Sequence, residues 1–289
     1  MNELDKHRIA SSFGRAAASY EKNAVLQKTV AERLHSRLDF LTIHPKWIAD
    51  IGSGTGSTSR SLAERYKSAR IVQVDLSTPM LLQSRSRSRR FFSRQYFCCA
   101  DAENLPVSNA MIELVFSNLT YQWCNDLDRA FAETKRIMRS NGLFVFATLG
   151  PDTLKELRAS WAAVDDATHI NTFFDMHDIG DALVRTGLES VVMESEIITM
   201  NYPDCFSLMR DIKIVGAHNA NKSRPGTLTG KQKLKKMIAA YEQFRHDNLL
   251  PATYEIVYGH AWAPANDLPP KQNVVAYIPV ESIRSGARK

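Results

Sequence analysis

The ten residues Trp47-Ile-Ala-Asp-Ile-Gly-Ser-Gly-Thr-Gly56 limit what this 289-residue chain can fold into more than any other stretch. Trp47 to Ile51 is a short apolar run of strand length. It opens into three glycines at every second position, and a helical stretch follows from about Ser57. Glycine admits left-handed backbone and lets a ligand approach without a Cβ in the way. A strand, a glycine turn and a helix in succession make the first unit of an open α/β sheet, whose ligands sit beyond the carboxyl ends of the strands. The turn alone could serve any nucleotide, since the GxGxxG spacing is missing and no P-loop lysine follows.

Acidic residues at the next strand ends narrow the choice. Asp75 closes a second apolar run, Ala69 to Asp75, at a position where a carboxylate can hold two ribose hydroxyls. Asp101 follows strand-like Gln95 to Cys99 and opens Asp-Ala-Glu-Asn-Leu-Pro106. Met111-Ile-Glu-Leu-Val-Phe-Ser-Asn118 reads as a fourth strand. This order of elements resembles the class I S-adenosylmethionine (SAM)-dependent methyltransferases. SAM has no phosphate to cradle, which agrees with the missing lysine. The resemblance implies an α/β, Rossmann-like fold with a seven-stranded, mostly parallel sheet.

It also implies roles for particular residues. Gly52, Gly54 and Gly56 would floor the methionine part of SAM, and Asp50 would order their loop or meet the amino group. Asp75 would bind the ribose diol, and Leu76 and Met80 would flank adenine. Asp101 with Ala102 would address the exocyclic nitrogen and the ring, and Asn118 and Leu119 would line the methyl-donor end. For Met80 the plain alternative is ordinary helix packing.

The bulk numbers bound the rest. The chain is 44% hydrophobic and 24% charged, which suits a globular protein with a sizeable core. It has no apolar stretch long enough to span a bilayer, and Met1 to Arg8 is charged, so a cytoplasmic protein is expected. Cys98, Cys99, Cys124 and Cys205 form no CxxC or zinc-like spacing, and neither a disulfide framework nor a metal is expected. A net charge of +6 favours acidic partners without choosing among them.

Along the chain, about Leu4 to Ser19 and Val25 to Leu41 read as helices, with Phe13, Ala17 and Tyr20 on one side. Strands and helices then alternate from Trp47 to Thr148, the pattern of a parallel sheet covered on both faces. Asp126 to Met138 is an amphipathic helix ended by Asn141-Gly142, and Leu143 to Thr148 is the next strand. Asp152 to Val164 and His177 to Thr186 read as helices, and Leu188 to Met200 as a strand. Asp204 to Ala217 and Gly230 to Phe244 read as two helices inserted before a last long strand, Thr253 to Trp262. Four regions are expected: an N-terminal helical lid (1–43), a SAM-binding α/β core (44–203), a helical insertion forming a substrate lid (204–250), and the final core strand with a tail (251–289). Asn273 to Val280 could add a short edge strand.

Longer segments narrow the resemblance. Ser12-Phe-Gly-Arg-Ala-Ala-Ala-Ser-Tyr20, Asn118-Leu-Thr-Tyr-Gln-Trp-Cys-Asn-Asp126, Phe146 to Arg158, Phe174-Asp-Met-His-Asp-Ile-Gly-Asp181, Leu208 to Asn219 and the Thr253 to Trp262 strand together resemble the malonyl-[acyl-carrier protein] O-methyltransferases of biotin biosynthesis. The resemblance covers nearly the whole chain. It implies methyl transfer from SAM to the free carboxylate of a malonyl thioester, carried on acyl carrier protein or coenzyme A. The products are the methyl ester and S-adenosylhomocysteine, and neither nucleic acid nor a membrane is implied as a partner. A carboxylate is already ionised at neutral pH, so no general base and no metal are expected, only positioning and exclusion of water.

On the substrate side Tyr20 is the first candidate, as a phenol that closes over SAM or donates to the malonyl carboxylate; a buried structural tyrosine is the alternative. Gln122, Trp123 and His177 could line the acyl pocket or be structural. Arg210 or Arg15 could grip the carboxylate, against the alternative of a solvated surface arginine. Two basic runs, Ser84 to Arg94 and Lys231, Lys233, Lys235 and Lys236, could steer an acidic carrier protein or could be solvated faces. The pI of about 9.1 also suggests a nucleic-acid methyltransferase, but Asn118-Leu-Thr-Tyr121 lacks the Asn/Asp-Pro-Pro-aromatic motif such enzymes often carry. A small-molecule methyltransferase would share the same cofactor residues. A non-catalytic SAM-fold protein is disfavoured by the intact glycines and Asp75.

Overall fold

The computed structural model describes residues 3–88, 94–224 and 230–265. Its frame is one sheet of seven strands in the order β3-β2-β1-β4-β5-β7-β6. The strands are β1 (Trp47–Ile51), β2 (Arg70–Asp75), β3 (Gln95–Cys99), β4 (Ile112–Asn118), β5 (Met138–Leu149), β6 (Glu189–Tyr202) and β7 (Leu250–Trp262). The first five run parallel, and β7 is antiparallel to both β5 and β6. The central strands are apolar almost throughout because helices cover both faces. The chain order reverses between β1 and β4, so the glycine turn after β1 lies at the crevice where an open α/β sheet takes its ligand.

Two groups of helices complete the molecule. On the sheet lie α3 (Val25–Arg37), α4 (Ser57–Arg65), α5 (Thr78–Arg87), α6 (Leu127–Ile137) and α8 (Met176–Arg185). Over the carboxyl ends of the parallel strands come α1 (Lys6–Ala16), α2 (Tyr20–Asn23), α7 (Lys155–Ala162), α9 (Cys205–Ile214) and α10 (Lys231–Tyr241). The helices α9 and α10 interrupt the chain between β6 and β7. The first helix is shorter than the apolar spacing suggests: it stops at Ala16 and the chain restarts at Tyr20, so Phe13 and Tyr20 belong to different helices. Their rings still meet edge-on at 6.3 Å. The β5 strand begins at once after α6, with an irregularity in its register before Leu143 that contains Asn141 in left-handed backbone. Residues 273–280, read as a further edge strand, lie outside the described residues. No helix among the described residues is long and apolar enough to cross a membrane.

Candidate active site

Three backbone N–H groups tie the glycine turn to the end of β2. The N–H groups of Gly52 and Ser53 donate to the Val74 carbonyl at 2.7 and 3.1 Å, and the Gly54 N–H donates to Asp75 Oδ2 at 2.8 Å. Gly52 has φ of +73°, and a Cβ there would lie 1.8 Å from Thr120 Oγ1. Gly56 has φ of +76°, and a Cβ there would lie 1.9 Å from Ser84 Oγ. The open glycine is Gly54, with φ of +53° and nothing within 4 Å of its Cβ position. Asp50 is buried behind this turn, where its carboxylate accepts from Ser59 Oγ and so ties β1 to the first turn of α4. Burial pushes the Asp50 carboxyl up to about 7, against the Ser59 bond, and the nearby Asp75 charge adds to the rise.

In front of the turn is a cavity open to solvent. Gly52, Gly54, Asp75, Leu76 and Met80 line one part of it, and Asp101, Ala102, Asn118 and Leu119 another. Desolvation raises the Asp75 carboxyl to about 6, although its oxygens accept from the Ser77 and Gly54 N–H groups. From α1, Lys6 reaches Asp101 at 3.0 Å and Glu103 at 2.8 Å. Asn118 Oδ1 and Ser77 Oγ are buried with no hydrogen-bond partner, and both residues line this cavity. Ser53 Oγ, in an adjoining cleft shared with Gly52, Gly54 and Asn118, is equally unpartnered. Buried polar atoms normally find partners. A ligand carrying ammonium and hydroxyl donors fits these acceptors together with the Asp75 carboxylate.

A second, larger cavity adjoins the first. Its walls are mostly apolar and come from distant segments: Leu154, Leu157 and Trp161 of the α7 region, Met209 and Ile212 of α9, and Tyr254 of β7. One polar part of its wall is His169, stacked on Trp161 at 3.7 Å with 10° between the ring planes. His169 Nε2 lies 2.7 Å from Asp165, which Lys233 also reaches at 2.7 Å. That lysine, with the histidine, holds the Asp165 carboxyl well below the usual range.

Phe13, Tyr20, Leu119 and Trp123 line both cavities. The Phe13 ring lies edge-on to Trp123 at 5.4 Å and to Tyr20 at 6.3 Å. Burial, with the Asp75 charge, pushes the Tyr20 phenol far above its ordinary value, so it is neutral and a hydrogen-bond donor throughout the physiological range. Leu119 holds left-handed backbone at φ of +53°, and Gln122 fixes it by donating from Nε2 to the Leu119 carbonyl at 2.7 Å.

The structure separates other expected residues from this junction. Gln122 borders the second cavity, but both ends of its amide are used, Oε1 by Thr148 at 3.1 Å. His177 stands at the exposed start of α8, where Asp175 accepts from its backbone N–H and its Nδ1 lies 2.8 Å from the same carboxylate; it borders neither cavity. Arg210 is on the outer face of α9, because Met209 and Ile212 take the inner face. Arg15 is exposed and donates to Ser11 and Ser12 of its own helix. Among the described residues no arginine lines either cavity. In the basic run after Ser84, Arg87 pairs with Glu21 and Arg94 donates to the Ser68 carbonyl, while residues 89–93 lie outside the described residues. Asp50 and Gly56 shape the turn from behind rather than line it. The sequence carries no spacing signal for Lys6, His169 or Lys213, because each meets its site across tens of residues or more.

Comparison with known proteins agrees with this geometry. A family model described as a methyltransferase domain matches residues 49–146. The chain is 48% identical over 268 residues to a malonyl-[acyl-carrier protein] O-methyltransferase of Laribacter hongkongensis, covering 90% of each chain. It is 47% identical to one of Methylovorus sp., again with 90% of each covered. The crystal structure of the YcgJ protein of Bacillus subtilis shares the fold, with a TM-score of 0.59 at 14% identity over 81% of this chain and 99% of that one.

Proposed function

The chain belongs to the malonyl-[acyl-carrier protein] O-methyltransferase family, and from that premise we propose that it methylates the free carboxylate of a malonyl thioester at the junction of its two cavities, with SAM as donor. The observation that carries this reading is the set of residues common to both cavities, Phe13, Tyr20, Leu119 and Trp123. They form a largely aromatic meeting point between a compartment lined by Asp75 and Asp101 and a larger, mostly apolar one.

In the first cavity Asp75 would take the ribose hydroxyls, Leu76 and Met80 the adenine faces, and Asp101 with Ala102 its edge. The unpartnered oxygens of Asn118 and Ser53 suit the ammonium of the amino-acid part. When bound, SAM supplies an electrophilic methyl group on a sulfonium whose departure needs no acid.

The rest falls to the chain. A carboxylate nucleophile is ionised at neutral pH and needs no base. The junction accordingly offers donors, the Tyr20 phenol and the Trp123 indole N–H, and no acid–base couple. A buried arginine clasped to the attacking oxygen would favour the reactant anion over a transition state in which that charge is fading. Neutral donors orient the oxygen with less of that penalty. Phe13, Tyr20 and Trp123 exclude water, which keeps the carboxylate poorly solvated and reactive. The ester that results is uncharged and can enter apolar chain-extending pockets that would reject a lone carboxylate. Such a capped primer is what the building of biotin's pimeloyl chain calls for.

The test is methyl transfer from labelled SAM to malonyl-acyl carrier protein, malonyl-coenzyme A and the matching acetyl thioesters. Base-labile label on the malonyl substrates alone is the expected result. Label on acetyl thioesters, or none on any substrate from protein that binds SAM, would overturn the substrate assignment.

A further inference from the structure

The helix α9 divides its residues sharply. Cys205 and Leu208 are buried, Met209 and Ile212 form part of the wall of the second cavity, and only Phe206, Arg210 and Lys213 are exposed. These three are spaced four and three residues apart, so they form one stripe along the outer face. Lys213 is also the one exposed residue among the described residues lining the second cavity, which places that cavity's mouth at the carboxyl end of the stripe. Neither Arg210 nor Lys213 has a salt-bridge partner among the described residues; the Asp204 carboxyl is lowered mainly by its Ser207 hydrogen bonds and, last, by the Arg210 charge. Phe206 is an apolar ring that is 54% exposed. Arg15 adds a further positive charge nearby: burial chiefly, and then Arg15 and Lys213, depress the imidazole of His218, which lines the same cavity.

We propose that this stripe, Phe206, Arg210 and Lys213, is the docking surface for the acidic carrier protein that presents the malonyl thioester. The proposal rests on the function given above and adds where the carrier sits. A substrate tethered to a protein by a thin arm requires that protein to dock beside the mouth through which the arm enters. Two unpaired cations with an exposed aromatic suit a small, acidic helical partner, since charge at an interface rim steers encounter and an aromatic anchors it. The lysines of α10 are worse placed. None of that helix's residues lines the second cavity, and Lys233 is already engaged by Asp165.

The experiment compares wild-type protein with Arg210→Glu, Phe206→Ser and, as a control off the mouth, Lys235→Glu. Each is assayed with malonyl-carrier protein and with malonyl-pantetheine, which has neither protein nor phosphate. Binding of the unloaded carrier is measured alongside by fluorescence anisotropy. For Arg210→Glu, carrier KM and Kd should rise roughly tenfold with kcat unchanged, because reversing a rim charge removes an attraction and adds a repulsion. Kinetics on malonyl-pantetheine should be unaffected, and the salt dependence of kcat/KM on the carrier should flatten. Phe206→Ser should weaken the carrier without changing the salt slope. Equal losses on both substrates, no loss at Arg210, or a loss confined to Lys235→Glu would overturn the docking surface. A wild-type protein that methylates neither substrate would instead overturn the function, and the anisotropy arm would still decide whether the carrier binds on α9.

Discussion

At the scale of single residues, the glycine turn shows how one motif holds two different requirements. Gly52 is required by packing: a Cβ would sit inside the Thr120 side chain, whose Oγ1 is itself tied to the Ile51 carbonyl at 3.1 Å. At Gly54 a Cβ would meet nothing but the cavity, so the need for glycine comes from its left-handed φ and from the cofactor proposed to lie in front of it. Gly52→Ala should therefore lose more than the roughly 1–3 kcal/mol of a strained left-handed residue, since the clash is added to the strain. Gly54→Ala should lose about 1 kcal/mol of stability yet bind SAM much more weakly. Urea unfolding and calorimetric SAM titration separate the two. Equal stability losses, or normal affinity in Gly54→Ala, would contradict the division. The glycines and the acidic strand ends were readable in the chain because each sits in a local strand–turn pattern. That Asp50 and Gly56 work from behind the turn was not, since it depends on Ser59 and Ser84 packing against them. The choice between pocket and surface at His177 and Arg210 was hidden for the same reason: which side of a helix faces a cavity is set by neighbours far away in sequence.

At the scale of elements, hydrophobic period located most helices and strands to within a few residues, because a sheet covered on both faces imposes long apolar runs. It could not show that α7, α9 and the loop between α7 and α8 converge on one cavity. That convergence depends on long-range polar ties, of which Glu156 is the clearest. It is buried in α7 and accepts from the Thr253 backbone N–H of β7 at 3.1 Å and from the Thr253 hydroxyl. The helix it anchors carries Leu157 and Trp161 into the second cavity. Glu156→Ala leaves the Thr253 N–H without its partner and should cost about 1–3 kcal/mol in urea unfolding. Glu156→Gln, which keeps a carbonyl acceptor, should retain most of that. Because the first cavity shares no residue with α7, Glu156→Ala should raise KM for the acyl substrate while SAM affinity holds. A loss of SAM affinity as large as the loss in acyl KM would mean that the two cavities are not independently supported.

At the scale of the whole molecule, the crevice concentrates two carboxyls that are hard to ionise, Asp50 raised to about 7 and Asp75 to about 6, each chiefly by desolvation. An unfolded aspartate titrates near 4. Between roughly pH 4 and 7 the folded protein thus holds protons at these sites that the unfolded chain has released. Their contribution to stability is full below the unfolded value and is lost as pH rises through the folded ones. Carboxyls held low by ion pairs, such as Glu21 and Glu133, act in the opposite sense. The useful measurement is therefore a difference: the Tm of Asp50→Asn minus that of the wild type should climb from pH 5 to pH 8, because the variant has no charge to bury. In the proposed role of Asp75 the cofactor would reverse this balance: ribose hydroxyls would donate to the ionised carboxylate, so SAM binding should release a proton and weaken as pH falls below about 6. Calorimetry in buffers of different ionisation heat reads that proton directly, and Asp75→Asn should bind weakly without the pH step. A flat Tm difference would mean that the Asp50 carboxyl is not raised in the folded protein, and pH-independent SAM affinity would remove Asp75 from the ribose. Both outcomes together would leave the crevice as a cleft without the electrostatic strain that a bound diol relieves.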